Sequence, residues 1–187
     1  AASDVYKRQY VSTLTYSFWL KRVVLVDVLL LAGLYTTRVL AGAAAVEIIP
    51  SFWLLAFSMF LFLSLALAKR YTELMVMHEH GTETTRGRGY QSSDLGALLS
   101  LGTAGGYMAV LVLALYINSP EVGKLYKRPE AIWLLCPLLL YWISRMWLGA
   151  NRGKLHDDPV VFALKDHVSR WVILISFIIV VTATYAP

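Results

Sequence analysis

The chain has 187 residues, of which 58% are hydrophobic and only 16% charged, and its formal net charge is +5. Soluble domains average about 45–50% apolar and about 25% charged residues, so these values exclude an ordinary water-soluble globule and a disordered chain. Because the cations lie between apolar runs, the charge indicates a membrane protein with cationic loops and not a nucleic-acid-binding protein.

The first nine residues differ in character from the rest. Residues 3–9 (Ser-Asp-Val-Tyr-Lys-Arg-Gln) resemble a translated transposon end used in preparing sequencing libraries. On this interpretation, residues 1–9 are a non-native tail and the native sequence starts at about Tyr10, inside a longer open reading frame. The alternative is an ordinary polar N-terminus. The start shows no secretory signal peptide.

Five stretches reach or approach the roughly 20 apolar residues that a spanning helix needs. They are residues 23–46, 51–68, 95–117, 131–148 and 168–186. Isolated strands leave backbone groups unpaired in lipid, so the spans should be helices. The sequence therefore predicts an all-α, multi-pass transmembrane helical bundle.

The first stretch contains two ionisable residues, Asp27 and Arg38. A charge at membrane depth costs a few kcal/mol and usually faces a cavity or a partner. The two residues are about three helical turns, or roughly 16 Å, apart on nearly the same face. We expect this stripe to face the bundle interior. The alternatives are a buried pair with a neighbouring helix, or an Asp27 side chain that reaches the interface.

The second stretch ends at Lys69 and Arg70, and Glu73 follows. If the helix continues, Glu73 is one turn from both cations. Adjacent cations at the mouth of a bundle suit a phosphate or diphosphate group, since Arg offers a planar fork and Lys a point charge. The alternative is a membrane-stop signal with a surface ion pair.

Two carboxylates near the last stretch, Asp158 and Asp166, are further candidates. Mg²⁺ takes oxygen ligands and bridges phosphates, so acidic side chains at a cationic mouth suit a metal–phosphate site. For Asp158 we favour a helix N-cap, because Pro159 fits the first helical position. His78 and His80 would point apart on a helix, so they favour no metal site.

The loops alternate in charge. One side collects nine cations: Lys21, Arg22, Lys69, Arg70, Arg86, Arg88, Arg152, Lys154 and Lys165. The other side collects three: Lys124, Lys127 and Arg128. Because Lys and Arg bias sets membrane orientation, we expect the nine-cation side to be cytoplasmic.

Several segments, taken in order, resemble the second half of the UbiA superfamily of membrane transferases. The segments are residues 16–22 (Tyr-Ser-Phe-Trp-Leu-Lys-Arg), Asp27, residues 38–42 (Arg-Val-Leu-Ala-Gly), residues 51–53 (Ser-Phe-Trp), residues 69–74 (Lys-Arg-Tyr-Thr-Glu-Leu) and Asp158-Pro159 with residues 163–166 (Ala-Leu-Lys-Asp). The closest subgroup is decaprenyl-phosphate phosphoribosyltransferase. The resemblance covers nearly everything after Tyr10.

The resemblance implies nine transmembrane helices around a central cavity that opens laterally to lipid. The five spans here would be helices five to nine, and residues 10–187 the C-terminal half of the domain. The family's Asn-Asp-x-x-Asp-x-x-x-Asp motif, on its second helix, does not occur in this sequence. We therefore expect the fragment alone to be inactive and to lack half of the Mg²⁺ site.

The family also carries an Asp-x-x-x-Asp motif after its sixth helix, where this sequence has Lys69-Arg70-x-x-Glu73. Replacement of acidic residues by cations argues against ordinary aromatic prenyl transfer. The subgroup implies transfer of 5-phosphoribose from phosphoribosyl diphosphate to a polyprenyl phosphate. The alternatives are a UbiA prenyltransferase acting on a quinone, other aromatic or haem precursor, and a non-enzymatic membrane scaffold.

The resemblance assigns the candidate site residues. The expected catalytic residues are Asp27, Lys69, Arg70 and Glu73, and the expected substrate-binding residues are Tyr16, Lys21, Arg22, Arg38, Asp158 and Asp166. Lys and Arg would clamp phosphates, Tyr16 would hydrogen-bond phosphate, and Glu73 would orient a cation or bind metal. The sequence does not determine an oligomeric state.

Overall fold

The computed structural model describes residues 23–47, 50–79, 89–120, 122–155 and 159–185. Within these ranges, five helices are long and apolar enough to cross a membrane. The predicted all-α, multi-pass helical bundle is confirmed. The 1–9 tail, Tyr16, Lys21, Arg22 and Asp158 lie outside the described residues.

Eight α-helices lie within the described ranges. They are α1 (Val26–Ala45), α2 (Phe52–Glu79), α3 (Leu95–Ile117), α4 (Val122–Leu125), α5 (Pro129–Ile132), α6 (Leu135–Asn151), α7 (Pro159–Lys165) and α8 (His167–Tyr185). A single 3₁₀ turn, Ser92–Asp94, leads into α3. Helices α5 and α6 together make the fourth crossing, Pro129–Asn151.

Helix α2 continues well beyond residue 68, where the apolar stretch ends. Its 28 residues extend about 42 Å, against a hydrocarbon core of about 30 Å. The last turns therefore project beyond the core as unbroken helix. They carry Lys69, Arg70 and Glu73 on adjacent turns.

The centre of the bundle is a close contact among α2, α3 and α6. The buried Ser64 hydroxyl of α2 donates a 2.7 Å hydrogen bond to the Gly102 carbonyl of α3 and accepts one from Trp147 Nε1 of α6 at 3.1 Å. Gly105 lies against the α2 backbone, where a Cβ would be 3.6 Å from the Phe60 carbonyl oxygen. Small residues on α3 thus let the helices approach closely.

Long-range hydrogen bonds fix the two ends of the bundle. At one end, Tyr71 of α2 donates to Asn151 Oδ1 of α6 at 2.8 Å. At the opposite end, the Arg128 amide donates to the Ala183 carbonyl of α8 at 3.0 Å. The first end, called here the Arg70 end, gathers the start of α1, the end of α2, the end of α6 and the start of α8.

Candidate functional site

Asp27 and Arg70 form a buried ion pair at the Arg70 end. Asp27 lies in the first turn of α1 and is 2% exposed, and Arg70 of α2 is 7% exposed. Arg70 Nε is 2.8 Å from Asp27 Oδ2, but the N–H is not aligned for a hydrogen bond, so the contact is electrostatic. Residues 43 positions apart are thus brought together, and a buried charge gains the partner it needs.

Tyr90 completes this pair from the segment before α3. Its hydroxyl donates a 2.6 Å hydrogen bond to Asp27 Oδ1 and accepts one from the Leu25 amide at 2.9 Å. Burial, followed by the hydrogen bond to Asp27, raises the pKa of Tyr90 above its usual range. The hydroxyl therefore keeps its proton and holds the carboxylate in place.

The backbone at the start of α1 is strained beside this hydroxyl. Leu25 has φ 68°, a left-handed conformation that costs a non-glycine residue about 1–2 kcal/mol. The Tyr90 hydroxyl satisfies the Leu25 amide in that conformation. This side chain therefore fixes both the carboxylate and the entry of the chain into α1.

Glu73 pairs with Arg70 from the next turn of α2. Arg70 Nη1 donates to Glu73 Oε2, and the Glu73 side chain is 32% exposed. Arg70 is therefore held between two carboxylates, one buried and one at the surface. The three side chains carry an excess of one negative charge, which the neighbouring Lys69 offsets. We call Asp27, Arg70, Glu73 and Tyr90 the Arg70 cluster.

Asp166 lies in a second polar network, between α7 and α8. Arg145 of α6 forms a two-fold contact with it, Nη1 to Oδ2 at 2.7 Å and Nη2 to Oδ1 at 3.1 Å. Asp166 also caps α8 by accepting from the Ser169 amide and hydroxyl at 2.8 and 2.9 Å. Partial burial alone would raise the pKa of Asp166, but the Arg145 and Ser169 hydrogen bonds together lower it.

Arg38 does not join the Arg70 cluster. Its side chain is exposed, and the guanidinium carbon lies 5.1 Å from the centre of the Tyr35 ring on the same helix. Asp27 therefore forms a buried pair with a neighbouring helix, which was the alternative interpretation, and Arg38 does not face the bundle interior as expected. The physical reason for the outward Arg38 is that, among the described residues, α1 packs mainly on α2, through contacts such as the Tyr35–Phe62 ring stack, so most of its circumference stays open.

The remaining predicted residues are placed as follows. Lys69 is half-buried, one residue before Arg70 on α2. Helix α7 begins at Pro159, as the N-cap interpretation of the preceding residue requires, while Asp158 is itself outside the described ranges. The structure thus brings Asp27, Arg70 and Glu73 into contact, and it holds Asp166 in a different network.

The described residues do not fit a Mg²⁺ site. No group of three or more His, Cys, Asp or Glu side chains in the described ranges is arranged to hold a metal ion. Asp27 is occupied by Arg70 and Tyr90, and Glu73 by Arg70. We therefore derive no chemical step through a metal held by these residues.

Two contributors were not identified as site residues from the sequence, Tyr90 and Arg145. Tyr90 follows a basic Gly-rich segment, and no local pattern links it to an aspartate 63 positions earlier. Arg145 could have been identified from the sequence. Together with Tyr141, Ser144 and Arg152 it recurs at helical spacing along an otherwise apolar span.

The chain is similar to two longer proteins. It is 40% identical over 158 residues to the uncharacterized protein y4nM of Sinorhizobium fredii, a match that spans 84% of this chain and 31% of that protein. It is 37% identical over 143 residues to the nodulation protein NoeC of Azorhizobium caulinodans, over 75% of this chain and 46% of that protein. No family model matches the chain. The chain therefore spans about a third to a half of the relatives it matches.

Proposed function

We propose that this chain is the C-terminal half of a UbiA-type membrane transferase that moves 5-phosphoribose from phosphoribosyl diphosphate to a polyprenyl phosphate. The observation that carries the proposal is the Arg70 cluster. Three residues singled out by the resemblance, Asp27, Arg70 and Glu73, come from two helices and make one partly buried network at a bundle end.

The chemistry proposed is a substitution at the sugar. An oxygen of the polyprenyl phosphate attacks C1 of the ribose, the bond from C1 to the diphosphate oxygen breaks, and pyrophosphate leaves. Negative charge accumulates on the leaving group, so fixed cations around it lower the barrier. The magnesium expected from the resemblance would need ligands beyond the residues described here.

Within this scheme Arg70 is a positioning residue. Asp27 and Glu73 already compensate its charge, so it is not the group assigned to the phosphate. Its contact with Asp27 of α1 instead holds the last turns of α2 in place. Lys69, on the adjacent position, is the cation assigned to contact phosphate. Tyr90 ties the start of the third span to the same point. The apolar outer faces of the helices would accept the isoprenoid chain from the bilayer.

The orientation proposed puts the Arg70 end in the cytoplasm of a bacterium. Described cations at this end include Lys69, Arg70, Arg152, Lys154 and Lys165, and cationic loops are retained on the cytoplasmic side. One relative's name associates that relative with nodulation and specifies no reaction.

The test uses the complete open reading frame that contains this chain, expressed in bacterial membranes. Membranes receive radiolabelled phosphoribosyl diphosphate, polyprenyl phosphate and Mg²⁺, and label entering the organic phase is measured. A parallel reaction contains a radiolabelled prenyl diphosphate with aromatic acceptors. We expect lipid labelling from the phosphoribosyl donor and none from the prenyl donor.

Each other outcome rejects the proposal in a specific way. Labelling from the prenyl donor alone supports the prenyltransferase alternative. Absence of transfer from either donor, with a folded protein in the membrane, supports the scaffold alternative. Transfer of label to a water-soluble product would overturn the assignment of a lipid acceptor.

A further inference from the structure

Helix α6 presents a polar stripe on the outside of the bundle. Tyr141, Ser144, Arg145 and Arg152 recur at spacings of three, four and seven residues, which places them on one face. The opposite face is buried and is formed by Trp142, Ile143, Met146, Trp147 and Ala150. Polar side chains on the outer face of a spanning helix are costly in lipid unless they have partners. Asp166 pairs with Arg145, and Tyr107 and the Leu140 carbonyl hydrogen-bond Ser144, so Arg152 is the cation of this face that has no ion pair among the described residues.

The stripe forms one wall of a groove of about 340 Å³. Phe162 of α7 lies on the facing side, 5.9 Å from the Arg145 guanidinium carbon. Along α6 the groove runs from Tyr141 to Gly149, about 12 Å, and it ends at Lys154 beyond the helix. It therefore passes from the membrane interior to the aqueous boundary at the Arg70 end.

The groove has both apolar and polar lining, and its cations without an ion pair lie at one end. Leu148 and the ring of Tyr141, both more than half exposed, line it together with Phe162. The Ser144 hydroxyl, 2.9 Å from the hydroxyl of Tyr107, adds a polar group beside them. Arg152 and Lys154 line the outer part. A cationic end beside exposed apolar side chains suits an amphiphile that has a charged head and a hydrocarbon tail.

The outer part of the groove carries positive charge. Asp166 compensates Arg145, whereas Arg152 and Lys154 form no ion pair within the part of the chain that the structure describes. The C-terminal end of α6 contributes about half a negative charge, which two cations exceed. The charged end of the groove therefore favours an anion.

We propose that this groove binds the phosphate headgroup of an anionic membrane lipid, with Arg152 and Lys154 on the phosphate and the hydrocarbon chain along Leu148 and Tyr141. The Arg145–Asp166 pair fixes the groove wall between α6 and α8. Charge complementarity and the position at the membrane boundary select a lipid over a soluble anion. This inference stands independently of the transferase reaction.

The test is lipid retention by the complete open reading frame that contains this chain, purified in detergent and examined by native mass spectrometry. Phosphatidylglycerol is the anionic probe and phosphatidylcholine its zwitterionic counterpart. The groove variant is R152Q/K154Q, and the matched control is K127Q/R128Q, which removes two cations at the opposite end. We expect phosphatidylglycerol retention to fall about three- to tenfold in the groove variant only, the effect of two partly screened charge contacts.

A second variant blocks the groove without a change of charge. Gly149 lines the groove, and a Cβ there would meet no atom within 4 Å, so Gly149→Leu should fold and fill the space. We expect it to lower phosphatidylglycerol retention as well. Equal retention of the two lipids, or equal losses in the groove and control variants, would overturn the proposal. Displacement of the lipid by excess inorganic phosphate would overturn it in favour of a soluble phosphorylated ligand.

Discussion

The hydroxyl of Tyr90 hydrogen-bonds two polar groups near the start of α1. It satisfies Asp27 Oδ1 and the amide of the strained Leu25. Tyr90→Phe removes these hydrogen bonds and leaves buried polar atoms unpaired, at about 1–3 kcal/mol. We expect the free energy of unfolding, measured by denaturant titration in detergent, to fall by this amount.

The control for Tyr90→Phe is Tyr185→Phe, because Tyr185 is 74% exposed at the end of α8. A change within about 0.5 kcal/mol is expected for an exposed position. Equal losses in the two variants, or full stability of Tyr90→Phe, would contradict the role given to this hydroxyl.

Asp166 makes a pH-dependent contribution. Its pKa in the folded protein lies below the ordinary value of 3.8, because the hydrogen bonds from Arg145 and Ser169 outweigh the effect of burial. The stability it contributes is therefore complete above the ordinary pKa and is lost as the pH falls through the folded value. Asp166→Asn keeps an N-cap residue and removes the charge.

We expect Asp166→Asn to be less stable than the unmodified chain at pH 7, and the difference to shrink as the pH approaches 3. Thermal unfolding in detergent across this range measures it. A difference that stays constant with pH would show that the carboxylate charge contributes nothing.

At the residue scale, the sequence indicated only that a charge in an apolar helix needs compensation. Asp27 lies in an apolar helix, so the need for a partner followed from its chemistry, and Arg70 was already a candidate. The identity of the contacts did not follow, since Tyr90 and Asp27 are 63 positions apart. Arg38 lies in the same apolar helix but stays exposed, because the face of α1 that carries it is not covered by another described helix.

At the scale of elements, the contact of α3 with α2 and α6 depends on the absence of side chains. A Cβ on Gly102 would overlap the Trp147 ring and lie 3.1 Å from Leu67 Cβ. Overpacking of a filled core costs about 1–3 kcal/mol. We expect Gly102→Ala to lose about that much in the same denaturant titration.

Gly96→Ala is the matched control on α3, because a Cβ at Gly96 would meet no atom within 4 Å. There the higher helix propensity of Ala should leave stability unchanged or raise it by up to about 1 kcal/mol. If the two substitutions had the same effect, the close contact would not be a source of stability.

The length and composition of each apolar stretch were sufficient to predict the spanning helices. The end of α2 was not predictable in this way, since hydropathy stops at residue 68 while the helix continues to Glu79. Its last turns are held by specific contacts, such as the 2.8 Å hydrogen bond between Tyr71 and Asn151. A hydropathy pattern carries no information on such contacts.

At the scale of the whole molecule, the orientation in the membrane can be tested directly. In a Cys136→Ala background, which removes the native cysteine, single cysteines replace Gly123 and Ser93. Gly123 has open space around it at one end, and Ser93 is exposed near the Arg70 end. In intact bacteria an impermeant maleimide should label Gly123→Cys and spare Ser93→Cys, and the reverse pattern would overturn the cytoplasmic assignment of the Arg70 end.

The most direct measurement of the central claim is phosphoribosyl transfer to polyprenyl phosphate by the complete open reading frame carrying R70K, E73Q or R128K. Lys cannot reproduce the planar fork with which Arg70 contacts both carboxylates, so R70K and E73Q should each lower kcat at least about tenfold, whereas R128K, at the opposite end, should retain full activity. Thermal unfolding shows whether each variant is folded. If R70K fails to fold, E73Q provides the test, because the Glu73 side chain is 32% exposed and its replacement disturbs the core less. Folded R70K and E73Q proteins with the kcat of the unmodified enzyme would contradict the account.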